Sequence, residues 1–379
     1  MPPGPKDEFR EIAEVVADFA ARELAPIVDE LDEKEMLAPG IFAKLAELGL
    51  LGITAPEAYG GAGLGAVAAS TVIEELAYVD PGTALSYLAH ALLFVHNVGI
   101  NGSEAQKERY LPPCIRGEWV GGLAMTEPEV GSDAAAMAAR AVREPGGWKL
   151  NGSKMFITNG PFGDVFLAYA RTSESHRKLT MFIVEKNFPG FFRGRKLRKM
   201  GMRSSPTGEL VLEDCHVPAA NLVGVEAEAI RPMMKNLDIE RVGLAAISLG
   251  IARACLDHAF RYARERRQFD APIIEFQAVS HTIADMYIEW RAAEGLVYEA
   301  ARAVDAGERA RKLSAAAKTF ASEVATRAGL AAIQVLGGYG YIREFPVERL
   351  MRDAKLIEIG GGTSEILRNV VVAELRKGY

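Results

Sequence analysis

Apolar residues in the first 120 positions recur at spacings of three and four, the signature of helices with one buried face. Over 8–24 the stripe runs through Phe9, Ile12, Val15, Val16 and Phe19, and Pro26 closes its strong part. A second short helix is predicted over 40–50, and two largely apolar ones over 67–79 and 83–98, interrupted only by Glu74 and Glu75. Another runs from Glu104 to Cys114, with Pro112-Pro113 as its stop signal, while Gly60-Gly61-Ala62-Gly63 reads as a flexible turn. Near Trp119 the pattern changes to short β-forming runs. Residues 147–152 read as a strand entering a turn, 165–169, 180–184 and 209–212 as further strands, and Pro189-Gly190 and 205–208 as turns. Long helices return from Ala227: 239–267, with an apolar face at Val242, Leu244, Ala245, Leu249, Ile251, Ala252 and Cys255, then 276–306 and 310–336. Elements segregated in the order α, β, α predict an α+β multidomain fold and argue against a doubly wound sheet. The expected domains are an N-terminal helical domain over 1–119, a β-barrel or sandwich over 120–228, and a C-terminal four-helix bundle over 229–379 with further burial between subunits.

Composition narrows the function without naming it. Hydrophobic residues make up 49% and charged residues 25% of 379 positions, ordinary for a globular chain. The formal charge is −6, and the densest basic cluster, Arg193, Arg195, Lys196, Arg198 and Lys199, reads as a solvated patch, so no nucleic-acid partner is expected. No uninterrupted apolar run of 18 residues occurs, so no membrane span is placed. The acidic start (Glu8, Glu11, Glu14, Asp18) lacks the order of a secretory leader. Cys114, Cys215 and Cys255 are isolated, which suits core thiols in a reducing compartment rather than a disulfide framework or zinc site. The histidines show no ligand spacing; His90 and His96 do not share a helix face and read as satisfied core or interface residues, so no metal is expected.

Three polar segments stand out. Residues 124–133 (Ala-Met-Thr-Glu-Pro-Glu-Val-Gly-Ser-Asp) enter the β region; most such segments are only turns, yet their hydroxyls and free amides suit a phosphate or a polar ring edge. Residues 151–160 place Phe156 two positions from the Thr158 hydroxyl between glycines, which is otherwise a hairpin with a packed Phe. Gly360-Gly361-Gly362-Thr363-Ser364-Glu365 reads as a helix N-terminus with open amides. The glycines at 60–63 and 337–340 lack the strand and helix context of a dinucleotide fingerprint.

In this order, and with Arg266-Arg267-Gln268-Phe269, Gln277, 334–341 and Arg352-Asp353-Ala354-Lys355, these segments resemble the acyl-CoA dehydrogenase family over essentially the whole chain. The resemblance implies an FAD-dependent oxidoreductase acting on a CH–CH bond, with FAD between the β domain and the bundle. It implies that Leu123, Met125, Thr126, Gly131 and Ser132 contact the flavin or its pyrophosphate. Phe156, where the family usually has Trp, and Thr158 would lie at the isoalloxazine ring. Arg266, Phe269, Gln277, Gln334 and Gly338 resemble residues that reach the FAD of a neighbouring subunit, and Thr363 and Glu365 resemble contacts near the adenosine half. Asp270 stands where many relatives have Gly. A shared FAD site implies at least a dimer, and the family is commonly tetrameric.

The implied reaction takes an α-proton from a thioester while the β-hydride leaves to flavin N5. It needs oriented donors for the enolate-like oxygen and a carboxylate base raised in pKa by burial. Most relatives carry that Glu immediately before Gly-Thr-Ser; here Gly361 occupies the position and can offer only its backbone N–H to the thioester oxygen. Isovaleryl-CoA dehydrogenases take the Glu from a bundle helix in a leucine–acid–hydrophobic–Glu–Arg segment, which Leu237-Asp238-Ile239-Glu240-Arg241 resembles. Glu240 is therefore the expected base, with Asp238 and Arg241 holding the pantetheine and the base's surroundings. Residues 209–221, 85–90 and 101–107 resemble the same subgroup. Gly360 and Gly361, without side chains, leave room for a short branched acyl chain, and Ser132 and Gly360 are expected to contact the substrate. Isovaleryl-CoA is the first expectation, in leucine or fatty acid catabolism; 2-methyl-branched, linear, cyclic and dicarboxylic thioesters are alternatives. Electron-transfer flavoprotein is the expected acceptor. An oxygen-using flavin relative and a non-catalytic scaffold are the competing readings. The expected compartment is the bacterial cytoplasm or, after processing, the mitochondrial matrix.

Overall fold

The computed structural model describes residues 7–174 and 178–378; His176 lies outside the described residues. Its N-terminal part is helical: α1 (Arg10–Phe19) continues through a π-helical turn to Leu24, followed by α2 (Val28–Lys34), α3 (Ile41–Glu47) and α4 (Ala66–Val79). A long rod then runs through α5 (Pro81–Leu88), a π-helical stretch (Ala89–His96) and α6 (Asn97–Asn101), and α7 (Glu104–Ile115) follows. Local sequence explains the starts. The Asp80 carboxylate accepts from Gly82 N–H with Pro81 at the first helical position. Ser103 and Gln106 form a reciprocal capping box on α7.

Two expectations need correction here. Val15 is exposed, and Val16 takes the buried place on α1. α7 does not stop at Pro112-Pro113; proline lacks a donor but keeps its acceptor, and Arg116 N–H donates to Pro112 O while Glu118 N–H donates to Pro113 O. The rod Pro81–Asn101 has the length and mean hydropathy of a membrane-crossing helix despite lacking an unbroken apolar run, and most of it is buried as a core helix.

The middle part is a sheet in the order β6-β7-β3-β2-β4-β5-β8, with β1 parallel to β4. The strands are β1 (Gly121–Ala124), β2 (Arg140–Glu144), β3 (Gly147–Thr158), β4 (Val165–Arg171), β5 (Leu179–Glu185), β6 (Phe191–Lys196), β7 (Thr207–Pro218) and β8 (Leu222–Val223). Trp148, Leu150, Phe166, Phe182 and Leu212 fill its core, and Cys215 packs there as a buried thiol. The expected turn at Asn151-Gly152 is instead a register shift within one long strand, and a second irregularity falls between Lys154 and Ile157. The basic cluster is not wholly solvated: Arg193 donates to Phe162 O and Gly163 O, Lys196 to Glu35 O and Lys199 to Ser205 O, so part of it ties the sheet to its neighbours.

The C-terminal part comprises α8 (Ile230–Glu265), a hairpin of β9 (Arg267–Gln268) and β10 (Ala271–Pro272), α9 (Gln277–Asp305), α10 (Arg311–Leu336), α11 (Val347–Ile357) and α12 (Ser364–Leu375). Phe269 and Asp270 form the hairpin turn with φ of 49° and 62°, so the tight turn forms with Asp in the place of Gly. This bundle is not sealed from the first helices. Val72, Ile73, Leu88, Ile247, Ile251, Val297 and Val324 belong to one core. Gly250 lets α8 approach α4 closely, since a Cβ there would meet Glu74 O at 2.5 Å. The carboxylate of Asp305, at the end of α9, receives the N–H groups of Ala66 and Val67 at the start of α4. The α, β, α architecture is the three-part fold that the sequence pattern implies.

Candidate active site

Two elements meet at the expected chemistry: the third and fourth turns of α8, and the glycine loop between α11 and α12. Glu240 is only 8% exposed, and its Oε2 has no hydrogen-bond partner among the described residues. Burial pushes its pKa up to about 7, against the opposing pull of Arg241 and Lys318. The backbone of Gly361 is left-handed at φ 65°. The point where a Cβ on residue 361 would stand lies 3.7 Å from Glu240 Oε1. A side chain on either element is therefore aimed at one spot.

The loop is held from outside. Lys318 Nζ donates to Gly362 O at 2.6 Å, Ser364 N–H donates to Glu358 O at 3.0 Å, and the Thr363 hydroxyl caps α12 by accepting from Ile366 N–H. Among the described residues, the N–H of Gly361 has no acceptor. Asp238 accepts from Ser314 Oγ at 3.1 Å and lies 3.4 Å from an Arg241 nitrogen; burial raises its pKa and Arg241 opposes that.

The room expected beside Gly361 is not open. Its Cβ position would be 2.4 Å from Leu244 Cδ1, so Leu244, one turn beyond Glu240, already occupies that volume. At Gly360 a Cβ would meet only Leu356 O, at 3.6 Å.

The residues expected at the flavin gather along β1 and β3. Leu123 lies in β1, which pairs on one side only, with β4. Met125 and Thr126 follow it; Thr126 O accepts from Met155 N–H at 2.9 Å, which binds this loop to β3. Phe156 projects from the irregularity in β3 with φ 60° and is 64% exposed, and Thr158 closes the strand half-buried. Gly131 and Ser132 are exposed, with open space around the glycine. A projecting aromatic, a nearby hydroxyl and uncommitted loop amides suit a flavin ring and its phosphates, so the residues present fit FAD.

The second expected set sits elsewhere. Arg266 and Gly338 line one groove of about 530 Å³ with Tyr262, Val335 and Tyr339, Gln334 is exposed at the end of α10, Gln277 starts α9, and Phe269 is 90% exposed beside Phe276. Glu240 and Arg266 bracket most of α8, about 39 Å of helix at 1.5 Å per residue. This second set therefore lies at the opposite end of α8 from the candidate base. Thr363 and Glu365 lie at the start of α12, on the Glu240 side.

Sequence reading missed four residues here. Lys318 is fully buried in an apolar stretch at helical spacing from Ser314 and Ala321, and a Lys on such a face was the available signal. Leu244 was read only as part of the apolar face of its helix, and its place against Gly361 emerges once the loop is folded over it. Lys154 and Glu127 form a fully buried pair at 2.8 Å; Lys154 also donates to Met125 O at 3.2 Å, and Glu127 accepts from Ala138 and Ala139 N–H. His90 bridges rather than catalyses: Gly121 N–H donates to its Nδ1 at 2.9 Å, and burial pushes its pKa down to about 4. Among the described residues, no group of three or more His, Cys, Asp or Glu is placed to hold a metal.

The sequence matches three parts of one family: the acyl-CoA dehydrogenase N-terminal domain over residues 6–118, the middle domain over 122–215 and the C-terminal domain over 230–375. It is 44% identical to the mitochondrial isovaleryl-CoA dehydrogenase of Pongo abelii, over 97% of this chain and 88% of that one. It is 42% identical to the mitochondrial 2-methylacyl-CoA dehydrogenase of Solanum tuberosum, over 98% and 91%. The solved structure of butyryl-CoA dehydrogenase from Megasphaera elsdenii superposes with a TM-score of 0.94 at 39% identity, over 97% of each chain.

Proposed function

The chain belongs to the acyl-CoA dehydrogenase family of FAD-dependent oxidoreductases, and on that premise we propose that it converts a short branched acyl-CoA, isovaleryl-CoA first, to the trans-2-enoyl-CoA. Bound FAD supplies the hydride acceptor. Glu240 takes the α-proton; the convergence of its carboxylate on the place where a side chain of residue 361 would point is the observation that carries this reading. A carboxylate with a pKa of about 7 is poised between its two protonation states near neutral pH, which is what a general base requires. Gly361 offers its uncommitted N–H to the thioester oxygen, where negative charge develops. Asp238, Arg241 and Ser132 border the thioester and pantetheine path in this reading, with Gly360 beside the acyl chain.

The identity to isovaleryl-CoA and 2-methylacyl-CoA dehydrogenases supports a branched substrate. Leu244 filling the space beside Gly361 favours a second reading, an unbranched short acyl-CoA such as butyryl-CoA. Electron-transfer flavoprotein is the proposed acceptor. The Arg266 and Gly338 groove, at the opposite end of α8 from Glu240, supports a homo-oligomer of at least two chains in which that groove serves a neighbour's cofactor.

The test is an anaerobic titration of the yellow holoprotein with isovaleryl-CoA and, separately, butyryl-CoA, following the visible flavin band. Bleaching by isovaleryl-CoA at lower concentration, lost in Glu240→Gln, is the expected result. Faster bleaching by butyryl-CoA overturns the substrate, and bleaching in Glu240→Gln overturns the base.

A further inference from the structure

Lys318 sits fully inside the protein on the face of α10 that packs against α8. Taking an ammonium out of water is costly unless the charge is used. Among the described residues it forms no ion pair within 4 Å; its hydrogen bond goes to the carbonyl of Gly362 at 2.6 Å. The ionisable groups around it come from several elements: Glu240 and Arg241 on α8, Glu358 at the end of α11 and Glu365 on α12, with Tyr169 of β4 facing Glu240 from the sheet. Arg241 approaches the same loop, with its Nε 3.5 Å from Gly361 O. Two cations on two helices thus face consecutive loop carbonyls, and the Gly361 N–H is left without an acceptor.

We propose that Lys318 is a positioning residue for the dehydrogenation: its bond to Gly362 O fixes the Gly360–Gly362 loop so that the Gly361 N–H stays available to the thioester oxygen, and its charge stands beside Glu240. The proposal rests on Glu240 being the base. Burial holds the Lys318 pKa down to about 8, still protonated at neutral pH, and its field favours the Glu240 carboxylate. Removing the charge withdraws that help, so the Glu240 pKa rises and the base is ionised only at higher pH. Removing the donor frees the loop.

Three variants separate these effects. Lys318→Met removes charge and donor, Lys318→Gln keeps a donor without charge, and Lys318→Arg keeps both. The measurements are the pH dependence of anaerobic flavin reduction by acyl-CoA, and hydrogen exchange of the peptide covering 359–364 in the holoprotein. In Lys318→Met the acid limb moves up by about half a pH unit, about threefold slower at pH 6, and the loop amides exchange faster. Lys318→Gln shows the shifted limb with less added exchange, and Lys318→Arg keeps the original limb. Lys318→Met with the wild-type limb and wild-type exchange overturns the proposal, since a purely structural lysine moves neither. If Lys318→Met does not fold, an unshifted limb in Lys318→Gln overturns it. Glu240→Gln tests the premise separately: if it still reduces flavin, the base assignment fails whatever the lysine variants show.

Discussion

Replacing Glu240 by Gln should abolish flavin reduction and at the same time make the protein more stable at alkaline pH. In the unfolded chain this carboxyl titrates near 4.5, and in the folded protein near 7. Between those values the folded state holds a proton that the unfolded state has released, so unfolding free energy falls as pH rises. The full effect is 2.5 pKa units at 1.36 kcal/mol each, about 3 kcal/mol, as an upper figure for this carboxyl alone. Below pH 4.5 both states are protonated and the carboxyl has no such effect; above pH 7 the loss is complete. Gln keeps the shape without ionising, so the stability of the variant relative to wild type should rise from pH 4.5 to pH 7 and then level off. The assay is thermal or urea unfolding of both holoproteins at matched FAD and protein concentration from pH 4.5 to 8.5, read as the difference between them. A difference that is flat with pH, or that falls, would refute the claim that burial of this carboxylate outweighs the pull of the neighbouring Arg241 and Lys318.

Gly361→Ala should lose about 1 kcal/mol or more to its left-handed backbone, and lose flavin reduction because Leu244 must move off the new methyl. Adding Leu244→Ala should recover part of the reduction rate, measured by stopped-flow absorbance. Lys154→Met leaves the buried Glu127 carboxylate unpaired, at a cost of about 3–5 kcal/mol, and releases Met125 O. Its FAD dissociation constant should rise, measured by fluorescence of the released flavin, and Glu127→Gln added to it should restore most of the melting temperature.

The order of helices, strands and helices was legible because each segment keeps its own hydrophobic period. α4 and the rod that follows it were read within two or three residues by that rule. β1, β2, β6 and β8 were not. β1 and β8 are too short to show a period, and β2 and β6 carry charged exposed residues between few buried ones. At the candidate site, Glu240 was singled out through the segment around it, while its burial and its approach to residue 361 became visible only in the fold. Leu244 was not foreseen as a wall, because a residue four positions along a helix shows its effect only when the facing loop is placed. Lys154 and Glu127 sit 27 positions apart, and nothing in their spacing announces that they meet.

The contact between Asp305 and the first amides of α4 bears on how the chain is made. The two partners are separated by 239 residues, and the apolar faces of α4 and α5 rest on α8, which lies between them in the chain. At about 5–20 residues per second, a ribosome takes roughly ten to fifty seconds to deliver the carboxylate after the helix that needs it. Val72, Ile73, Leu76 and Leu88 emerge before α8, which packs on them in the finished protein, and the Asp305 carboxylate follows later still. The first helices therefore complete their packing only after α8 has been made and gain their last cap only after α9, so the nascent chain keeps apolar helix faces uncovered through much of its synthesis.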